Sequence, residues 1–161
     1  MIRNATQQDL PAILAIMNDA IENTTTIYDY KTRDEDYIIQ WFTNKTKDNW
    51  PVLIYEVEGK TVAYGSYGTF RAWEAFKVTV EHSIYVEQKY RGKGIGKQLL
   101  HKLIETAKQQ GYHTMIGGID ATNNTSICLH KQFGFVEAGR IKETGFKFDK
   151  WLDLVFMQLI L

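Results

Sequence analysis

Between residues 90 and 97 the chain reads Tyr90-Arg91-Gly92-Lys93-Gly94-Ile95-Gly96-Lys97, and these alternating glycines constrain the fold more than any other stretch. A run rich in β-branched residues, Val78 to Val86, precedes them, and an amphipathic run, Ile95 to Ala107, follows. Glycine takes positive φ without steric cost and lets a ligand come close to the backbone. The first turn of a helix adds unpaired N–H groups and the positive end of its dipole. Strand, glycine turn and helix start therefore form a cradle for a phosphate, with Arg91, Lys93 and Lys97 within it.

Spacing narrows the phosphate ligand. A loop of the form Gly-x-x-x-x-Gly-Lys-Ser/Thr fails, because Lys97 stands five residues after Gly92 and Gln98 follows it. The dinucleotide fingerprint Gly-x-Gly-x-x-Gly fails too: the third glycine comes one residue early, and no βαβ unit is read there. The pattern that fits is Arg/Gln-x-x-Gly-x-Gly/Ala, met by Arg91, Gly94 and Gly96. It resembles the acetyl-CoA pyrophosphate loop of the GNAT N-acetyltransferase superfamily. Taken alone, the loop also reads as a glycine-rich turn with solvated lysines.

The 161 residues suit a single domain, with 44% hydrophobic and 13% aromatic residues to fill a core and only two prolines. Nineteen basic residues balance nineteen acidic ones. A general nucleic-acid binder carries a basic excess, so the cationic patch at 89–97 reads as ligand-directed and no nucleic-acid partner is expected. Cys128 is the only cysteine, which excludes an intrachain disulfide and a thiolate metal cluster; no metal is expected. The N-terminus lacks an apolar leader and no apolar run is long enough to span a membrane, so a cytoplasmic protein is expected.

Coarse periodicity gives strand, two helices, three strands, helix, strand, helix and two strands, an α/β domain on a mixed sheet flanked by helices. The first helix starts near Gln8 or Asp9 and carries Leu10, Ile13, Leu14, Met17 and Ile21 on one face. Thr32 to Glu35 has capping-box form and opens the second, with Tyr37, Ile38, Trp41 and Phe42 on one face. Strands are expected at Pro51–Val57 and Val62–Thr69 around a Glu58-Gly59-Lys60 turn, then an aromatic loop, Phe70 to Lys77. Val78–Val86 is the strand that feeds the glycine turn. The main helix stops at Gly111. After it come a strand, Thr114–Ile119, a polar loop, a short helix ending before Gly134, and strands at Phe135–Ile141 and Trp151–Leu159.

A second constellation makes the resemblance specific. Asn123, Ser126, His130 and Gly134-Phe135 fall in the superfamily's downstream pattern, about thirty residues past the glycine loop. Thr79 to Val86, Gly118 to Ala121, Phe70-Arg71-Ala72-Trp73 and Lys147 to Gln158 are similar to the phosphinothricin / methionine sulfoximine N-acetyltransferases, and the similarity runs nearly end to end. His130 stands where tyrosine is common in the wider superfamily, and Ala72 where some relatives carry proline.

The resemblance implies acetyl-CoA as co-substrate, a small amino-acid-like amine as acceptor and a homodimer. An α-amine is largely protonated near neutral pH, so transfer needs a base. Glu81 lies mid-strand in the run Thr79, Glu81, Ser83, Tyr85, where a carboxylate is poorly placed unless paired or functional. The resemblance makes it the general base; a structural ion pair is the alternative. His82 and Ser83 fall at substrate positions, though His82 also reads as a core histidine. Main-chain groups of Ile84, Tyr85 and Val86 would bind the pantetheine arm like an added strand. Gly92, Gly94, Ile95, Gly96 and Lys97 would bind the pyrophosphate through N–H groups, with Arg91 and Lys93 adding charge.

Asn123 matches the side chain that bonds the pantetheine, or it is a helix N-cap. His130 is the candidate acid for the CoA thiolate, or a structural histidine. Arg71, Ala72 and Trp73 fall in the loop that holds the substrate, where an arginine can pair with an α-carboxylate, or they make a dimer contact. Tyr28 and the Trp151 segment line either the pocket or an interface. Other readings are acetylation of a polyamine, aminoglycoside or protein N-terminus, and a non-catalytic acyl-CoA sensor.

Overall fold

The computed structural model describes residues 1–161. Its elements run β1 (Ile2–Asn4), α1 (Leu10–Asn23), α2 (Glu35–Lys47), β2 (Val52–Val57), β3 (Lys60–Thr69), β4 (Thr79–Val86), α3 (Ile95–Gln109), β5 (Thr114–Asp120), α4 (Asn124–Gln132), β6 (Val136–Lys147) and β7 (Lys150–Ile160). The order expected from periodicity holds throughout. Seven strands form one sheet in the order β1-β2-β3-β4-β5-β7-β6. All neighbours are antiparallel except β4 and β5, which are parallel and joined through α3. A βαβ unit therefore does open at the glycine turn, contrary to the sequence reading, and the dinucleotide motif is excluded by glycine spacing alone.

Helices cover both faces of the sheet. On one side α3 buries Leu99, Leu100, Leu103 and Ala107 against Val80, Met115, Val155 and Met157. On the other, α1 and α2 bury Ile13, Met17, Ile21 and Ile38 against Ile54 and Tyr64. Each such leucine, isoleucine, valine or methionine side chain contributes about 1.5–3 kcal/mol on burial. Gly65 permits close approach: a Cβ there would stand 3.1 Å from both Ile84 Cγ1 and Leu103 Cδ1. No helix is long and apolar enough to cross a membrane.

Three local expectations shift. The second helix is capped not by Thr32 but by Asp34, whose Oδ1 accepts from Tyr37 N at 2.9 Å, so it starts at Glu35. A reciprocal cap sits instead before α1, where Asp9 Oδ2 accepts from Thr6 N at 2.8 Å and Asp9 N donates to Thr6 O at 3.0 Å. The last hairpin is longer than read, since β6 continues past Ile141 to Lys147. Its register slips between Ile141 and Gly145, and Glu143 has φ 51°. The two residues of its turn, Phe148 and Asp149, both have positive φ. That conformation normally selects Asn-Gly or Asp-Gly, which is why the hairpin gave no turn signal.

Candidate active site

The site begins where β4 and β5 part. They pair only at Thr79↔Thr114, Val80↔Met115 and Glu81↔Ile116; both strands then run on without pairing to each other. Glu81 stands at the fork. Strand alternation puts it on the α1/α2 face with Ser83 and Tyr85, while Val80, Ile84 and Val86 pack toward α3. An open cleft of about 530 Å³ lies over this face, lined by Glu81, His82, Ser83, Tyr85, Gly118, Thr26, Thr69, Gly68, Lys45 and Trp50. A smaller cavity of about 150 Å³ shares Ser83 and Tyr85 and runs back under Ile27, Asp29 and Arg33.

Glu81 makes no salt bridge. Burial raises its pKa above the ordinary carboxylate value, and the charge of Arg71 pulls it partly back. A raised pKa makes a better proton acceptor. Arg71 makes no hydrogen bond to Glu81; its Nη1 donates to Phe70 O at 2.7 Å and its guanidinium lies 4.3 Å over the Phe70 ring. Ala72 and Trp73 are exposed, Trp73 at 71%, and neither lines the cleft. Trp151 is likewise exposed, against Phe146 of the last hairpin.

His82 points from the opposite face of β4 into a buried pair. Its Nε2 lies 2.9 Å from His130 Nε2, the rings stack at 5.0 Å, and Phe135 meets both edge-on. The Ser126 carbonyl accepts from His130 Nδ1 at 2.7 Å, so that nitrogen carries the proton of a neutral ring. His130 Nε2 then accepts from His82 Nε2–H, and His82 Nδ1 is left buried without a partner. Burial and the facing ring of His130 push the His82 pKa down to about 3, and burial lowers that of His130. In this arrangement His130 has no N–H free for a leaving group.

The residues expected from the sequence to hold a cofactor gather on the other side of the fork. Gly92 and Gly94 have φ of 75° and 77°, and α3 starts at Ile95 with Gly94 as its N-cap. The first helix N–H to bond is that of Gln98, to Gly94 O at 3.2 Å, which leaves those of Ile95, Gly96 and Lys97 for an anion. Lys93 and Lys89 stand over the Tyr90 ring at 5.0 and 5.4 Å. Arg91 has a second use: its Nε donates to Val86 O at 2.9 Å, fastening the loop to the end of β4. Asn123 is the N-cap of α4, its Oδ1 accepting from Ser126 N at 3.0 Å.

Sequence reasoning missed Lys45, Trp50, Thr26 and Thr69 in the cleft wall. Only Lys45, placed four residues after Trp41 and five before Trp50, offered a signal. The cleft also depends on Gly117-Gly118 of β5, a doublet that marks close approach inside a strand. A Cβ at Gly117 would lie 3.0 and 3.1 Å from the two histidine Nε2 atoms.

The sequence profile described as the acetyltransferase (GNAT) family matches residues 13–135. The L-methionine sulfoximine/L-methionine sulfone acetyltransferase of Pseudomonas aeruginosa is 46% identical over 98% of this chain and 92% of its own length. The crystal structure of a phosphinothricin acetyltransferase from Sinorhizobium meliloti in complex with acetyl-CoA superposes with a TM-score of 0.98 at 34% identity, covering 100% of this chain and 88% of that one. That of a ribosomal-protein-alanine N-acetyltransferase from Brucella melitensis gives 0.98 at 50% identity, covering 100% and 99%. A family profile over most of the chain, with relatives at 34–50% identity matched along nearly its whole length, settles the family: the protein belongs to the GNAT acetyltransferases.

Proposed function

We propose that this protein transfers the acetyl group of acetyl-CoA to the α-amine of a small amino-acid-like acceptor such as phosphinothricin, methionine sulfoximine or methionine sulfone, by direct attack with Glu81 as general base. The observation that carries this reading is the fork itself: an unpaired strand edge and an anion-binding helix start open on one side, and a half-buried carboxylate faces a cleft on the other. Acetyl-CoA supplies an acyl thioester when bound. The β4 edge from Ile84 to Val86 holds its arm by main-chain groups, and Gly92 to Lys97 hold its pyrophosphate, with Arg91 and Lys93 adding charge and the Asn123 amide as a further donor.

Glu81 takes the proton that the amine loses as nitrogen bonds to the acyl carbon, and the C–S bond then breaks. Arg71 pairs with the α-carboxylate, Ser83 borders the amine, and Ala72 and Trp73 close the outer loop. The hydrogen bonds of His130 suit it to hold His82 against α4, with a proton reaching the thiolate by another route. The protein works as a homodimer in the cytoplasm; exposed apolar residues Val136, Ile141, Phe146, Phe148 and Trp151 along the last hairpin support a contact surface there.

Thiol release from acetyl-CoA, measured across these amino acids, a polyamine, an aminoglycoside and an N-terminal alanyl peptide, tests the reading. Turnover with the amino acids is expected, reduced about 10²–10⁴-fold in Glu81→Gln. Faster turnover with the peptide reassigns the acceptor, and acetyl-CoA binding without turnover on any amine makes the protein a sensor.

A further inference from the structure

We propose that Lys45 determines acceptor specificity, its ammonium receiving an anionic or strongly hydrogen-bond-accepting oxo group at the end of the acceptor's side chain. This rests on the acetyltransferase reading above and names the acceptor class within it.

Lys45 lies in the last turn of α2 and lines the same cleft as Glu81. Its Nζ donates to Tyr67 O at 2.8 Å and sits over the faces of Trp41 and Trp50, 5.7 and 5.1 Å from their centroids. An ammonium has three donors, so two remain. It forms no salt bridge; burial pushes its pKa down to about 8, against a weak pull from Asp48. A poorly solvated cation without a counter-ion gains from an anion delivered to it.

Register places it relative to the base. Gly68 is the cross-strand partner of Glu81, and a Cβ at Gly68 would stand only 2.9 Å from Lys45 Nζ. The ammonium therefore overlies β3, whereas the Glu81 carboxylate leans toward β5, where a Cβ on Gly118 would stand 3.0 Å from Oε1. Gly118 stands two residues beyond Ile116, the partner of Glu81, so the two charges are set about two strand spacings across and up to two residues along, roughly 10–12 Å apart. A hydrogen bond at each end leaves roughly 4–6 Å between them. That is the span from an α-nitrogen to an oxygen carried on the γ or δ atom of an amino-acid side chain. Arg71 remains free for the α-carboxylate.

Thiol release at pH 7 with L-phosphinothricin, L-methionine sulfone and L-norleucine, for wild type, Lys45→Met and Lys45→Arg, tests this. Wild type is expected to favour phosphinothricin over norleucine by about 10- to 100-fold in kcat/KM, the worth of one charge-assisted hydrogen bond. Lys45→Met should erase that preference mainly through the acceptor KM, and Lys45→Arg should keep part of it. Norleucine used as well as phosphinothricin by wild type overturns the proposal. Equal proportional losses for all three acceptors in Lys45→Met also overturn it, since a structural lysine would behave that way. If Lys45→Met does not fold, the wild-type ratio and Lys45→Arg decide. If wild type releases no thiol with any amine while acetyl-CoA still protects it from thermal unfolding, the acetyltransferase reading fails and this assignment falls with it.

Discussion

Glu81 Oε1 lies 3.0 Å from the point where Gly118 would carry a Cβ. The carboxylate on β4 thus occupies space that β5 concedes by having no side chain at that position. Gly118→Ala should push the carboxylate aside while leaving the fold intact, because the other contacts of the new methyl, Leu154 Cδ1 at 3.6 Å and Phe156 Cε1 at 4.0 Å, are ordinary. A fall of about 10- to 100-fold in kcat/KM is expected, since misplacement by about 1 Å can cost 10². Steady-state kinetics beside a melting curve check this; a large loss of melting temperature would refute it.

The buried histidine pair predicts acid sensitivity. His82 titrates near 6.5 when unfolded and near 3 in the folded protein, so between those values the unfolded state binds more protons. Its contribution is fully present above pH 6.5 and lost as pH falls, at up to about 1.4 kcal/mol per unit. The lowered pKa of His130 acts in the same direction. Urea unfolding from pH 8 to 5 should show this slope, and His82→Gln should flatten it.

Lys147 fastens the cleft from behind. It is buried at the end of β6, and its Nζ donates to three carbonyls at the close of α1: Ile21 O at 2.5 Å, Thr24 O at 2.8 Å and Ile27 O at 2.7 Å. Lys147→Met leaves all three unmatched, and a loss of about 2–5 kcal/mol in unfolding free energy is expected. The freed segment carries Thr26 and Ile27 of the cavity walls. The acceptor KM should therefore rise more than that of acetyl-CoA, as initial-rate kinetics against each substrate will show.

Gly94→Ala isolates backbone conformation from sterics. No heavy atom lies within 4 Å of the added Cβ, but φ is 77°. The left-handed conformation costs an alanine about 1–2 kcal/mol. If the loop reorients to avoid it, the N–H groups of Ile95 to Lys97 lose their aim and the acetyl-CoA KM should rise about tenfold, with acceptor KM little changed. An unchanged acetyl-CoA KM would show that the loop does not hold the pyrophosphate.

The glycine turn and the helix start were legible in the sequence because glycines with positive φ and a helix N-terminus are local features, written in consecutive residues. The identity of the Glu81 strand was legible for the same reason: alternation alone puts Thr79, Glu81, Ser83 and Tyr85 on one face. The fork was not legible, since which strand lies beside β4, and where the two part, depends on pairing across thirty-five residues. Lys45 was hidden in the same way, brought to the cleft by the packing of α2 over Gly68. Asp34 took the cap from Thr32 because two competing acceptors lay within one turn. The resemblance, not periodicity, supplied the acceptor.

The parting of β4 and β5 has a consequence for the protein's endurance. Amides on the inner edges of the two strands lack the ladder that protects their neighbours, so they should exchange with solvent hydrogen faster than those at Glu81 and Ile116. A co-substrate laid along that edge, as proposed above, would serve as the missing rung. By linkage, at a hundred times its Kd it adds about 2.7 kcal/mol to the folded state. How long this protein survives in a cell is then set in part by the supply of the acyl donor it consumes.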